Sequence, residues 1–290
     1  MDHELNIWVV GGDLRQVRLA QLLAEDGHTV HTYALEDPED SSGPVHESSL
    51  SRIDRADCVI FPLPVTAEAM RLNAPLALSG PPLPEVLDLL SPRQFLCGGR
   101  VDPAVQELAR ARDLTIHDYF AREELTVANA VPTAEGAVQL AMGHLPITVH
   151  GSRTLILGFG RVGRLTAQRF HALEAQVTVA ARSYDQLAWA QAMGFGVERL
   201  DHLSGWLCGY DLVINTIPSR VLERRELEDL KPACLILDLA SKPGGVDLGA
   251  AGELGLTVIW ALSLPGKVAP VTAGQAIQRT IYHMLDELGY

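Results

Sequence analysis

The stretch Thr154–Ser183, TLILGFGRVGRLTAQRFHALEAQVTVAARS, reads as strand, glycine turn, helix and strand in succession. Leu155-Ile156-Leu157 is a short apolar run, Gly158-Phe159-Gly160-Arg161-Val162-Gly163 is a GxGxxG turn, and Val177-Thr178-Val179 resumes a β-branched pattern after a helical one. Each glycine meets a separate demand. Gly158 permits the tight turn, Gly160 lets the backbone approach a pyrophosphate, and Gly163 lets helix and strand pack closely. The helix N-terminus then faces the phosphates. The preceding strand, the following helix and a second strand ending about 20 residues on make the stretch a dinucleotide-binding unit.

The tip of the second strand bears on which nucleotide is bound. An NAD-binding unit places Asp or Glu there to hold the ribose hydroxyls, whereas this chain has Ala181-Arg182-Ser183. A guanidinium cannot accept those hydrogen bonds, but Arg182 can pair with a 2′-phosphate and Ser183 can donate to it. NADP is therefore the expected cofactor. The alternative is a solvated arginine at a strand end.

The N-terminal segment echoes this unit. Ile7-Trp8-Val9-Val10, Gly11-Gly12-Asp13, a helical run to about Glu25 and a strand from His28 to Tyr33 lie over it at an offset of 147, with Gly11 on Gly158 and Val30 on Val177. Asp13 falls where Gly160 admits the pyrophosphate, and Gln16 falls where Gly163 packs. A carboxylate there repels a phosphate, so the first repeat is expected to hold no nucleotide. Asp13, Arg15 and Gln16 stand at the carboxyl end of a strand, where open α/β sheets place ligand groups. They are candidate substrate contacts, against the alternative of a helix cap by Asp13.

At 290 residues the chain has room for two domains, and 47% apolar with 20% charged residues describes a globular protein. A net charge of −13 argues against nucleic acid and anionic membrane as partners. Cys58, Cys97, Cys208 and Cys234 form no CxxC pair, so no metal site and no disulfide framework is indicated. No apolar run approaches a membrane span, and MDHELNIWVV lacks a basic n-region, which leads to the expectation of a cytoplasmic protein.

Strands alternating with helices continue along the chain: Cys58–Phe61, Phe95–Cys97, Thr115–His117, Leu212–Ile214, Leu235–Leu239 and Thr257–Trp260. The expected architecture is α/β, with two Rossmann-like doubly wound domains and a C-terminal helix returning to the first. The expected divisions are a substrate domain of Rossmann or flavodoxin-like type over 1–125, an interdomain helix over 126–150, an NADP-binding Rossmann domain over 151–268, and the returning helix over 269–290. Pro132 followed by Glu135 is expected to open the interdomain helix, as first-turn chemistry favours, and to point its N-terminus into a cleft.

Beside the glycine turn, Thr216-Ile217-Pro218 and Leu239-Ala240 close strands on the cofactor side and are candidate cofactor contacts. Lys242, Lys267 and Arg15, with Thr133, Ser241 and Thr272, are donors expected at strand ends and helix starts. Such a set suits a small anionic substrate. Lys242 and Lys267 are the candidate catalytic cations. Glu135 is a candidate proton acceptor, against the alternative of a helix-dipole partner. Neither a Ser-His-Asp order nor HExxH appears, so the cofactor carries the chemistry.

VVGGDLRQ (Val9–Gln16), NAVPTAEG (Asn129–Gly136), LGFGRVG (Leu157–Gly163), NTIPS (Asn215–Ser219), DLASKPGG (Asp238–Gly245) and LPGKVAPVTAG (Leu264–Gly274), in order over almost the whole chain, resemble the family of bacterial dipicolinate synthase A subunits. The resemblance implies a sporulation enzyme that oxidises dihydrodipicolinate, a cyclic product of the lysine branch, to dipicolinate, a pyridine dicarboxylate, with NADP. It also implies a flavoprotein-like B subunit, hence a hetero-oligomer, and the mother-cell cytoplasm. Two other readings stay open. A D-2-hydroxyacid dehydrogenase shares the two-domain plan, but the loop Ser263–Lys267 lacks the histidine usual there. A non-catalytic NADP(H)-binding subunit is the other.

Overall fold

A computed structural model describes residues 4–36 and 43–289. The chain divides into two compact units, residues 1–129 with 265–290 and residues 130–264. Among the described residues, the first unit holds strands β1 (Asn6–Val10), β2 (Thr29–Tyr33), β3 (Val45–His46), β4 (Cys58–Ile60), β5 (Phe95–Gly98) and β6 (Ile116–Asp118). Its helices are α1 (Leu14–Glu25), α2 (Leu83–Leu87) and α3 (Pro103–Arg110). The helix α4 (Glu123–His144) begins in this unit and ends in the next.

The second unit holds β7 (Arg153–Leu157), β8 (Gln176–Ala181), β9 (Gly196–Arg199), β10 (Leu212–Asn215), β11 (Leu235–Asp238) and β12 (Thr257–Trp260). Helices α5 (Arg161–Ala172), α6 (Tyr184–Ala192), α7 (Arg224–Glu228) and α8 (Leu248–Glu253) lie between them in sequence. The short α9 (Leu264–Val268) straddles the division, and α10 (Pro270–Leu288) belongs to the first unit.

Each unit is one parallel six-stranded sheet, in the orders β3-β2-β1-β4-β5-β6 and β12-β11-β10-β7-β8-β9. Strands buried on both faces need continuous apolar runs, which Val9-Val10 and Leu155-Ile156-Leu157 supply at 0% exposure. The chain order reverses between β1 and β4 and between β7 and β10. Those reversals are where open α/β sheets bind ligands, at the carboxyl ends of the strands. The repeat seen in the sequence is kept residue for residue: Asn6–Val10 and Leu14–Glu25 fall on Arg153–Leu157 and Arg161–Ala172 at the same offset of 147. The first residue of each initial strand also donates its N–H to the aspartate before the fourth strand, Asn6 to Asp57 at 2.8 Å and Arg153 to Asp211 at 2.7 Å.

The returning helix α10 packs on α1 in the first unit through Ala276, Ile277, Ile281, Met284 and Leu285. A Cβ on Gly274 would stand 3.1 Å from the Arg15 carbonyl oxygen, so that glycine sets the closeness of the crossing. The expected last residue of this helix, Tyr290, lies outside the described residues. Among the described residues no helix is long and apolar enough to cross a membrane.

One expectation fails. Pro132 does not open a helix but lies inside α4, which starts nine residues earlier at Glu123. An internal proline forfeits a hydrogen bond and costs about 3 kcal/mol. Burial on either side offsets that: Leu125 and Ala128 pack into the core of the first unit, Ala137 and Ala141 into that of the second, and Pro132 itself is buried. Thr133 and Glu135 are therefore mid-helix residues, without the first-turn setting expected for them.

Candidate functional site

In the second unit the glycine turn follows β7 directly. Gly158 has φ +91°, a conformation that strains any other L residue. A Cβ on Gly163 would lie 2.2 Å from the Gly158 carbonyl oxygen, so helix and turn touch without room for a methyl group. A Cβ on Gly160 would meet nothing within 4 Å. The turn is thus closed behind, at Gly163, and open in front, at Gly160. The N-cap of α5 is Gly160, which has no side chain with which to cap the first-turn amides, and Arg161 and Val162 are the first two residues of the helix. Phe159 is fully buried in the core beneath.

Thr216 and Asn215, at the end of β10, divide the work of joining this turn to the next loop. The Thr216 hydroxyl donates to the Leu157 carbonyl at 2.8 Å and sits where a Gly158 Cβ would touch it. Asn215, fully buried, donates to Asp238 Oδ1 at 2.8 Å and to the Ile217 carbonyl at 3.0 Å. Ile217 and Pro218 follow on the same edge, half-buried and exposed respectively.

The loop after β11 is pinned from below. Asp238, 1% exposed, accepts from the amides of Ala240 at 3.1 Å and Gly245 at 2.8 Å. Trp260 Nε1 donates to the Ala240 carbonyl at 2.9 Å. Gly245 admits no side chain, because a Cβ there would be 2.2 Å from Asn215 Nδ2. Between these anchors Ser241 and Lys242 are exposed, while Leu239 is half-buried and Ala240 buried.

At the tip of β8, Arg182 and Ser183 are both exposed, and Ser183 precedes α6 without capping it through its side chain. Arg182 has no ion pair among the described residues. Glu135, elsewhere in this unit, has an exposed side chain 3.6 Å from Arg169 Nη2. Thr133 is half-buried.

The corresponding place in the first unit is built differently. Asp13 caps α1: its carboxylate accepts from the Arg15 amide at 3.0 Å, and Gln16 Oε1 accepts from the Asp13 amide at 3.2 Å, a reciprocal capping box. Arg15 is 5% exposed, with Nε and Nη2 on the two Asp13 oxygens at 2.9 and 2.7 Å and Nη2 also on the Leu63 carbonyl at 2.9 Å. Gln16 is fully buried and reaches the Tyr119 hydroxyl at 3.4 Å, which in turn donates to the Phe61 carbonyl at 3.0 Å. Burial pushes the Tyr119 phenol well above its ordinary range. The Gly12 amide donates to the Asn73 carbonyl at 2.8 Å, so the chain itself lies over this turn. Gly266 of α9 fits flat against the pair, its absent Cβ 3.2 Å from Arg15 Nε. Lys267 beside it is exposed, as is Thr272 in the first turn of α10.

The structure thus gathers the predicted cofactor residues Gly158–Gly163, Thr216–Pro218 and Leu239–Ala240 with Ser241 and Lys242 at one sheet edge. Asp13, Arg15 and Gln16 form a second group that is already internally bonded. Sequence reasoning missed Asn215, Asp238 and Trp260 as anchors. A carboxylate ending the apolar strand LILD was the available signal; Trp260 carried none.

Comparison with known proteins places this geometry. Residues 6–120 match the family model for the N-terminal domain of the dipicolinate synthase A subunit, and residues 123–240 match the NAD-binding domain of D-isomer specific 2-hydroxyacid dehydrogenases. The dipicolinate synthase A subunit of Bacillus subtilis (strain 168) is 32% identical over 291 residues, covering 98% of this chain and 97% of its own. The crystal structure of that synthase's A subunit from Bacillus subtilis superposes with a TM-score of 0.87 over 99% of this chain and 98% of that one, at 32% identity. The corresponding crystal structure from Bacillus halodurans gives 0.87 at 28% identity, over 97% of each chain. A transhydrogenase from Sinorhizobium meliloti shares the fold, with a TM-score of 0.71 at 14% identity over 97% of this chain and 94% of that one.

Proposed function

The chain belongs to the family of dipicolinate synthase A subunits and is an oxidoreductase with an NAD(P)-binding domain of the dehydrogenase type, and from that premise we propose that it oxidises dihydrodipicolinate to dipicolinate with NADP. The observation that carries this reading is the glycine turn, closed at Gly163 and open at Gly160, with the Ser241-Lys242 loop on the same sheet edge. A nucleotide cofactor fits there, since its pyrophosphate needs the open side and the uncapped N-terminus of α5.

A dinucleotide held by the turn Gly158–Gly163 would supply a hydride acceptor for the substrate ring. The residues of the chain bind and orient. Arg182 and Ser183 take the 2′-phosphate, which an acidic residue would repel. Lys242 and Ser241 hold a carboxylate of the substrate, and in the first unit the exposed Lys267 and Thr272 are separate candidate donors. Arg15 is held by Asp13 and the Leu63 carbonyl through Nε and Nη2, so Nη1 is the donor proposed for a substrate there. The second hydrogen leaves as a proton, to water or to a carboxylate, for which Glu135 is the candidate, and aromatisation of the ring drives the step. The proposed setting is the cytoplasm of the mother cell during sporulation, and the proposed partner is a flavoprotein-like B subunit.

The test is to mix the purified chain with fresh dihydrodipicolinate and NADP and follow NADPH. Formation of NADPH and dipicolinate by the chain alone is the expected result. Turnover only after addition of the partner protein would make this chain the nucleotide-binding part of a shared site. Turnover of 2-hydroxyacids instead would favour the activity named in the family model for residues 123–240.

A further inference from the structure

The polar groups beneath the loop 239–246 are arranged as one connected device. Thr216 and Asn215 are neighbours at the end of β10, yet their side chains go opposite ways, one bonding the last residue before the glycine turn and the other the carboxylate that holds the Lys242 loop. Asp238 is almost wholly buried, and its hydrogen-bond donors are neutral: the Asn215 amide and two backbone N–H groups five residues apart in the loop. A buried carboxylate is costly unless hydrogen-bonded, and three amide donors are what make it tolerable here. A device meant only for strand pairing would not need a charge, since β10 and β11 are already paired through their backbones from Leu212 to Asn215. What the carboxylate adds is control of the backbone at Ala240 and Gly245, the two ends of the segment carrying Ser241 and Lys242. Trp260, reaching from β12 to the Ala240 carbonyl, fixes the same residue from its other side.

We infer that Asp238, Asn215 and Trp260 are positioning residues that tie the placement of Lys242 to the nucleotide turn, so that the cation meeting the substrate is held in register with the bound cofactor. This rests on the proposed role of Lys242 in holding a substrate carboxylate. None of the three touches the reacting atoms; they act through the loop.

The experiment compares Asp238→Asn, Trp260→Phe, Lys242→Ala and the two double variants combining Lys242→Ala with each of the others. Asparagine keeps the shape of Asp238 but offers an NH₂ where the loop presents another donor. Trp260→Phe, on an edge strand, removes one hydrogen bond and guards against an Asp238 variant that fails to fold. Hydrogen exchange comes first and needs no substrate. The amides of residues 240–246 should exchange at least tenfold faster in Asp238→Asn, and those of Gly158–Ala172 should be unchanged. Titration with NADPH should give a Kd within about twofold of the parent for Trp260→Phe. In turnover, Trp260→Phe should lower kcat/KM about fivefold and Asp238→Asn about thirtyfold, chiefly through KM for the dicarboxylate. In the Lys242→Ala background either change should cost less than twofold, because the group being positioned is gone.

Full additivity in the double variants, or an unchanged exchange rate in the loop, overturns the inference. If Lys242→Ala itself leaves kcat and KM unchanged while the exchange rates respond as expected, the loop device stands and the assigned role of Lys242 is what fails.

Discussion

The N-termini of α1 and α5 occupy equivalent places in two copies of one βαβ plan, and they treat the same amide groups in opposite ways. At α1 the first-turn donors are taken by Asp13, the carboxylate is neutralised by Arg15, and the turn is covered by the carbonyl of Asn73. At α5 the capping position is Gly160, with nothing within 4 Å of where its side chain would be. Every α-helix begins with N–H groups that have no partner in the helix. A protein can satisfy them itself or leave them for an anion, and this chain does one in each repeat. The same strand order and helix length thus carry a helix N-terminus capped by the chain's own carboxylate in one repeat and one left without a side-chain cap in the other.

The comparison breaks most severely at Gly163. Gly163→Ala places a methyl group against the Gly158 carbonyl and should weaken NADP(H) binding more than about a hundredfold, roughly 2.7 kcal/mol, and lower Tm. Gln16→Ala at the matching position of the first repeat should leave nucleotide affinity within twofold. Nucleotide titrations of both variants check the pair. An intact Kd in Gly163→Ala would show that the turn is not the nucleotide site.

Asp13→Ala should act the other way round, on stability and not on nucleotide. It removes a cap and leaves the Arg15 guanidinium buried with one carbonyl, a loss of about 3–5 kcal/mol in urea unfolding. An NADPH Kd equal to that of the parent, in the folded fraction, completes the expectation.

Arg182→Asp sharpens the choice between nucleotides. NADP(H) affinity should fall about thirtyfold, close to 2 kcal/mol for a charge-assisted contact, and NAD(H) affinity less than threefold. Equal losses would remove Arg182 from the 2′-phosphate. The smallest effect belongs to Asp211. Burial raises the Asp211 pKa, but the Lys231 ammonium and the Arg153 amide outweigh it, and the carboxyl lies below its ordinary value. A carboxyl lowered on folding contributes stability above its unfolded pKa and loses it as pH falls through the folded one. The parent should therefore lose Tm more steeply than Asp211→Asn below about pH 4, as thermal melts across that range would show.

Much of this was legible in the residues alone. The glycine turn, the repeat at an offset of 147, the two parallel sheets and the returning helix follow from periodicity and from backbone needs that are local, and the strand and helix bounds of the two repeats agree almost to the residue. The swap of Gly160 for Asp13 was likewise visible, because it is a change of residue type at one position of the repeat.

Other features depended on contacts between residues far apart in sequence. Pro132 reads locally as a helix start, yet α4 runs through it because burial of residues on both sides outweighs the lost hydrogen bond. Arg15 reads as a free cation, yet its Nε and Nη2 are taken by Asp13 and by a carbonyl 48 residues away. Asp238 and Trp260 read as ordinary strand residues, and only the closing of the loop over them turns a carboxylate and an indole into its anchors. The sequence by itself determined the repeat, the nucleotide turn and the residue types at each strand end. The tertiary structure decided which of those polar groups are consumed internally and which stay exposed, because hydrogen-bond partners and burial are properties of the packed chain and not of its local order.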